Sequence, residues 1–137
     1  MKKHLFLALL IVLLITGCEE KRVQLSELEE SSGFYYLKDK PFTGAAVVMY
    51  DEDNIKEEME YKDGMPHGIW KSYYENGKLS GEVKYIEGLE HGIFKSYHAN
   101  GQLEMEGNYI KGKLDDSSLK VYYENGQLRT DIQILNP

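Results

Sequence analysis

The chain has 137 residues, 42% of them hydrophobic and 28% charged, with a formal net charge of −7 at pH 7. That length and balance fit one small folded domain. The acid excess repels phosphate backbones and anionic lipid headgroups, so the sequence predicts no nucleic-acid partner and no basic membrane patch.

The N-terminus reads as a secretion signal. Lys2 and Lys3 precede an unbroken apolar run from Leu5 to Ile15. That run is short of the ~20 apolar residues a membrane-spanning helix needs. The small residues Thr16 and Gly17 follow, as at a cleavage site, and then comes Cys18, the only cysteine. A lone cysteine cannot form a disulfide within one chain. The run Ile15-Thr16-Gly17-Cys18 resembles the lipobox of bacterial lipoproteins. The resemblance implies a signal helix over 1–17, cleavage before Cys18 and acylation of its thiol and new amine. Two or three acyl chains anchor firmly where one is marginal. The chain would then sit on the extracytoplasmic side of a membrane. Glu19 is not the Asp of an inner-membrane retention signal, so this would be the outer membrane where there is one. The competing reading is an uncleaved signal anchor with a chance cysteine. Loss of 1–17 removes Lys2 and Lys3, leaving 14 basic against 23 acidic residues, a net of about −9.

Residues 18–33 are polar, acid-rich and without an aromatic, which predicts an acylated tether. A short helix around Val23 to Glu30 has only Val23, Leu25 and Leu28 to support it.

From Phe34 to Ile134 the chain repeats, and all 11 tyrosines lie at or after Tyr35. His67 to His91, Gly77 to Gly101 and Tyr85 to Tyr109 are each 24 residues apart. A further copy begins at Ser118 with one inserted residue, so Gly101 to Gly126 is 25. A diverged copy starts at Phe42, where Gly44 matches Gly68 and Tyr61 matches Tyr85. Each copy reads as two strands about a turn. Asn76-Gly77, Asn100-Gly101 and Asn125-Gly126 predict type I′ hairpin turns, which need positive φ at both central residues. Asp53-Asn54 in the first copy predicts a looser turn. The second strands alternate: Leu79, Gly81, Val83 and Tyr85 oppose Ser80, Glu82 and Lys84, and Leu103, Met105, Gly107 and Tyr109 oppose Glu104, Glu106 and Asn108. The same alternation places Leu128, Thr130, Ile132 and Ile134 on one side of a last strand. Such alternation predicts one buried and one wet face. The links between copies read as Gly-bounded loops. The expected fold is all-β, an antiparallel meander of repeated hairpins in which neighbouring units complete each other's core.

Chemistry-bearing motifs are absent. No nucleophile elbow and no phosphate loop occurs, and the acids fall on alternating positions or in turns. The sequence therefore predicts a binding module, with no catalytic residue, cofactor or metal. His67 and His91 lie one repeat apart, roughly 9.6 Å at two strand spacings, too far to share an ion. His98 stands where Tyr74 and Tyr123 stand in other copies.

One face stands out. Tyr73, Tyr97 and Tyr122 share a repeat position, and Lys71, Lys95 and Lys120 share the position two residues earlier. They form a candidate partner-binding ladder, because Tyr is enriched where protein surfaces bind. The blander reading is cross-strand packing that stiffens the sheet.

The run Gly-Ile-Trp-Lys-Ser-Tyr-Tyr-Glu-Asn-Gly-Lys-Leu from Gly68, followed by a strand, Tyr-Ile-Glu-Gly and the next His-Gly, resembles the MORN repeat. It resembles most the bacterial MORN-variant family that includes YwqK-type antitoxins. Tyr35 to Gly44 resembles an opening copy. The resemblance implies a twisted single-layer antiparallel sheet that binds proteins or membranes. The antitoxin label implies neutralising a toxin by direct contact. An envelope-anchored chain fits immunity against an envelope-acting or incoming toxin. Alternatives from other classes are a lipoprotein that stacks envelope glycans on the Tyr ladder, and a structural spacer.

Overall fold

The structure, a computed structural model, describes residues 21–129. The expected signal helix, Cys18, and Thr130, Ile132 and Ile134 of the last expected strand lie outside the described residues. Strands dominate. In chain order they are β1 (Arg22–Gln24), a 3-10 turn (Leu25–Glu27), β2 (Glu29–Ser31), β3 (Phe34–Leu37), β4 (Lys40–Pro41), β5 (Gly44–Met49), β6 (Ile55–Lys62) and β7 (Met65–Pro66). Then follow β8 (Gly68–Tyr73), β9 (Leu79–Ile86), β10 (Leu89–Glu90), β11 (Gly92–Tyr97), β12 (Leu103–Ile110) and β13 (Lys113–Val121). One ten-stranded sheet runs β1-β5-β6-β8-β9-β11-β12-β13, with β7 on β6 and β10 on β9. A three-stranded sheet, β2-β3-β4, is separate. The expected all-β meander of hairpins is thus observed from β5 onward. It has one exception: β1 pairs with β5 in parallel, Arg22 opposite Ala45.

The segment expected as tether is folded from Arg22. Val23, Leu25 and Leu28, the residues of the doubtful helix, pack instead against Phe42, Ala46 and Tyr61. Tyr35 and Leu37 join them, with the Tyr35 and Tyr61 rings 4.8 Å apart. Three apolar residues in eight could not cover a helix face, but they suffice for short strands and a turn over a sheet end. Among the described residues this is the one dense core. Past Tyr61, the only buried large side chain among the described residues is Val83, at 7% exposure. The expectation of one fully buried face is corrected accordingly. The later repeats bury their apolar side only halfway, because no second layer of the described chain covers them.

The turns also differ from expectation. Asn76, Asn100 and Asn125 keep negative φ, and only Gly77, Gly101 and Gly126 are left-handed. The Tyr74 N–H donates to the Lys78 carbonyl and the Gly77 N–H to the Tyr74 carbonyl, each at 2.8 Å. That is a three-residue loop with a left-handed glycine, the longer hairpin loop rather than the two-residue type I′ form. The Asn76 side-chain oxygen accepts the Lys78 N–H at 3.0 Å, and Asn100 and Asn125 do the same for Gln102 and Gln127. The Asn thus acts through its side chain, not its φ tolerance. The first-copy turn is as well held as the others: the Asp51 carboxylate accepts the N–H groups of Asp53 and Asn54. The links expected as loops are tight hairpins instead. Asp63-Gly64, Glu87-Gly88 and Lys111-Gly112 each have both φ positive, between 50° and 84°. Lys62 pairs with Met65, Ile86 with Leu89, and Ile110 with Lys113 across them.

Each repeat is laced to the next at both edges. At the link edge, the N–H groups of Gly64, Gly88 and Gly112 donate to the carbonyls of Phe42, Pro66 and Glu90 at 2.8–2.9 Å. At the Asn-Gly edge, the Tyr50 and Tyr74 hydroxyls donate to the carbonyls of Tyr73 and Tyr97, at 2.9 and 2.6 Å. His98, in the same slot, places Nε2 3.0 Å from the Tyr122 carbonyl. It can donate there as the Nε2–H tautomer, so His substitutes for Tyr by reaching the same acceptor. The inserted residue of the last copy is taken up between Asp115 and Lys120, where the pairing of β12 with β13 shifts register.

Two variants test this packing. Tyr74→Phe removes one lacing bond and should lower stability by about 0.5–1.5 kcal/mol, read from the urea midpoint. Gly107→Ala would place a Cβ 2.5 Å from Phe94 Cε1. It should cost about 1–3 kcal/mol, and Phe94→Leu in that background should recover part of the loss.

Candidate functional site

The candidate ladder lies where register places it. Lys71 pairs with Glu58 on β6 and with Glu82 on β9. Lys95 pairs with Glu82 and with Glu106, and Lys120 pairs with Glu106. The strand order therefore writes one row across six strands: Glu58, Lys71, Glu82, Lys95, Glu106, Lys120. The structure brings together all three predicted lysines, and it interleaves three acids that the sequence reading left among ordinary solvent positions. The signal was available, because 58, 82 and 106 keep the 24-residue period that separates Lys71 from Lys95.

The tyrosines belong to this face. The Tyr97 hydroxyl donates to Glu82 Oε1 at 3.1 Å, and the Tyr122 hydroxyl donates to Glu106 Oε1 at 2.9 Å. Each reaches the acid of the preceding strand. Tyr73 holds the same register position, opposite Leu79 as Tyr97 is opposite Leu103. Its carbonyl accepts the Tyr50 hydroxyl. At that end Glu58 is ion-paired with Arg22.

Electrostatics follow from these contacts. The Lys120 ammonium, 3.1 Å from Glu106 Oε1, and then the Tyr122 hydroxyl hold the Glu106 carboxyl below the usual carboxylate range. The same hydrogen bond raises Lys120, and the Glu106 carboxylate raises Tyr122. Tyr97 is raised by desolvation first and by Glu82 second. Lys120 keeps 57% of its side-chain area exposed, so solvent screens the pair. Cross-strand pairs of this kind contribute roughly 0.2–1 kcal/mol when well formed, and exposed ones sit at the low end. The face is therefore mixed in charge, not a basic stripe.

A shallow depression of about 370 Å³ opens on this face, lined by Ile93, Glu106, Gly107, Asn108, Ser118 and Lys120. It lies where the extra residue of the last copy distorts the pairing. Ser118 holds the distortion: its hydroxyl accepts the Asn108 N–H at 2.7 Å and donates to the Asp115 carbonyl at 2.6 Å. Ile93, at 64% exposure, is the most exposed large apolar residue described.

The opposite face carries a second aromatic row that sequence reasoning treated only as core. Tyr61, Tyr85 and Tyr109 repeat every 24 residues, and Phe94 packs on Tyr109 with rings 5.2 Å apart. The Tyr85 hydroxyl donates to Glu90 Oε1 at 3.1 Å. Burial first, and the Glu90 carboxylate second, push its pKa up to about 12. Burial also raises Tyr61.

His67 and His91 sit at the link edge, where their N–H groups donate to the carbonyls of Glu60 and Lys84 at 2.8 Å. Among the described residues no three His, Cys, Asp or Glu side chains converge as a metal cage would require. Asn76-Gly77, Asn100-Gly101 and Asn125-Gly126 all lie in hairpin loops at the other edge.

Comparison with known proteins adds one finding. The family described as MORN repeat variant matches residues 66–87, 90–111 and 117–136. Neither the curated proteins nor the solved structures give a significant match. The stretches 66–87 and 90–111 each hold one Asn-Gly hairpin and its two long strands, β8 with β9 and β11 with β12. Residues 66–136 therefore carry three repeats of the MORN repeat variant family.

Proposed function

We propose that this chain is a repeat-based protein-binding module displayed on the outside of a membrane by lipid on Cys18, where it neutralises a toxin by direct contact. The observation that carries the binding role is the open ladder of Tyr97, Tyr122 and the Glu58-to-Lys120 row. These side chains stand in register on a sheet face that no described element covers. A rigid sheet holds them at fixed spacing, so a partner meets them without a large ordering cost. Mixed charge suits specificity, since a wrong partner faces like charges at some position. The tyrosines supply contact area with few rotatable bonds, and Ile93 beside the depression offers an apolar anchor. The lipid reading rests on the sequence before the described residues, the apolar run ending in Gly17-Cys18.

Crosslinking in intact cells tests the binding role. Tyr97→Ala with Tyr122→Ala should weaken recovery of the crosslinked protein partner by about thirty- to several-hundredfold, the effect of losing two interface tyrosines at ~1–2 kcal/mol each. Unchanged recovery, or recovery of glycan in place of protein, would overturn it. Cell fractionation tests the anchor: Cys18→Ser should move the chain out of the membrane fraction, and intact-mass measurement should find acyl additions on Cys18 of the parent.

A further inference from the structure

The two long edges of the sheet differ in chemistry. The link edge carries exposed apolar side chains at successive turns. Phe34, Leu89 and Ile110 are 38%, 49% and 54% exposed. Phe34 Cδ1 lies 3.4 Å from where a side chain on Gly64 would begin, and Leu89 Cδ2 lies 3.3 Å from the same point at Gly112. Ile110 opens the Lys111-Gly112 turn itself. The charges in these turns balance, Lys62, Lys111 and Lys113 against Asp63, Glu87 and Glu90.

The Asn-Gly edge is acidic. Its loops hold Asp51, Glu52, Asp53, Glu75 and Glu124 against Lys78, with Lys56 and Arg129 lying over the Tyr50 and Tyr123 rings, so its exposed Tyr50, Tyr123 and Leu128 stand among an excess of acids. An anionic bilayer surface repels that edge, whereas a neutral edge tipped with Phe, Leu and Ile partitions into the headgroup boundary.

The chain enters the sheet at the link edge. β1 runs parallel to β5 with Arg22 opposite Ala45, and the Lys21 carbonyl accepts the Ala45 N–H at 2.8 Å. Gly44, the neighbouring residue, pairs with Tyr61, two residues before the Asp63-Gly64 turn. Cys18 precedes Lys21 by three residues in the sequence, a reach of at most ~10 Å. A lipid on Cys18 would therefore hold the bilayer close to this edge.

We infer that the link edge, through Phe34, Leu89 and Ile110, docks on the lipid surface that holds the anchor, so that the sheet stands on one edge. This rests on the lipid-anchor reading above. Burying these three tips to the headgroup boundary adds a few apolar contacts that are too weak to bind alone. They are sufficient to orient a chain already tethered.

The test uses the full acylated chain in vesicles of phosphatidylethanolamine and phosphatidylglycerol. Trp70→Phe removes the native indole, and Phe94 already fills the equivalent position one repeat on. In that background Ile110→Trp and Asn125→Trp place a probe at each edge. Lipids brominated near the headgroup should quench the probe at 110 at least several-fold more than the probe at 125. Leu89→Glu should abolish the difference while the protein stays vesicle-bound. Equal quenching at both edges in bound protein would overturn the docking and leave the anchor reading intact. Protein recovered without acyl chains and free of vesicles would overturn both.

Discussion

The whole fold depends on hydrogen bonds that tie one repeat to the next at its two edges. A sheet that no second layer of the described residues covers cannot rely on a packed interior, and past Tyr61 those residues bury almost nothing large. The link-edge glycine N–H groups and the Tyr50, Tyr74 and His98 side chains each satisfy a carbonyl of the adjoining copy. Those bonds fix the spacing and twist between copies, and every row of side chains inherits its register from them. Stability then propagates from neighbour to neighbour, as in other linear arrays. The dense cluster around Phe42, Ala46 and Tyr61 closes the N-terminal end, where a terminal repeat would otherwise expose its flank.

Register is also why the charged row exists. A residue repeated every 24 positions in a regular array must stack on its copies. Two such residues on alternate strands must interleave. Three lysines alone would repel one another at two strand spacings, roughly 9.6 Å. With Glu58, Glu82 and Glu106 between them, attraction replaces repulsion, and the tyrosine hydroxyls give Glu82 and Glu106 a further donor. The same arrangement stiffens the sheet and leaves the rings in fixed positions, so the structural and binding readings of the ladder are not exclusive. The pairing that holds the tyrosines still is what makes them usable as contacts.

Much of this was legible in the chain itself. The 24-residue period, the two strands per copy, the shared face of the lysines and tyrosines, and the His98 slot all follow from alternation and spacing. What was missed has physical causes. The Asn-Gly pairs announced hairpins, but register shifts between Ser72 and Tyr73 and between Ser96 and Tyr97 lengthen those loops and change the role of the Asn. The link turns use Asp63, Glu87 and Lys111 at positive φ, residues that carry no strong turn preference except the Asp. Residues 22–31 looked like linker because their few apolar side chains match no helical stripe. Short strands that cap a sheet need only Val23, Leu25 and Leu28 on one side. The acid row was hidden because acids on a wet face usually mean nothing, and only the pairing across strands gives these a place.

The two edges and two faces of a single-layer sheet are chemically independent surfaces, and here each has a distinct character. In the docked orientation inferred above, the strands rise from the lipid surface, and both faces remain clear of it. The acidic Asn-Gly edge then points away from the membrane. An edge-on sheet presents Tyr97, Tyr122 and the charged row sideways, at a height set by strand length. β11 has six residues, so at ~3.3 Å each the ladder stands within about 20 Å of the link edge. A partner that approaches along the membrane meets this face directly, and one arriving from solution first meets the acidic edge. A long flexible tether would have blurred that distinction. With β1 paired from Arg22, an anchor on Cys18 would lie only three residues in sequence from Lys21, whose carbonyl already holds the Ala45 N–H.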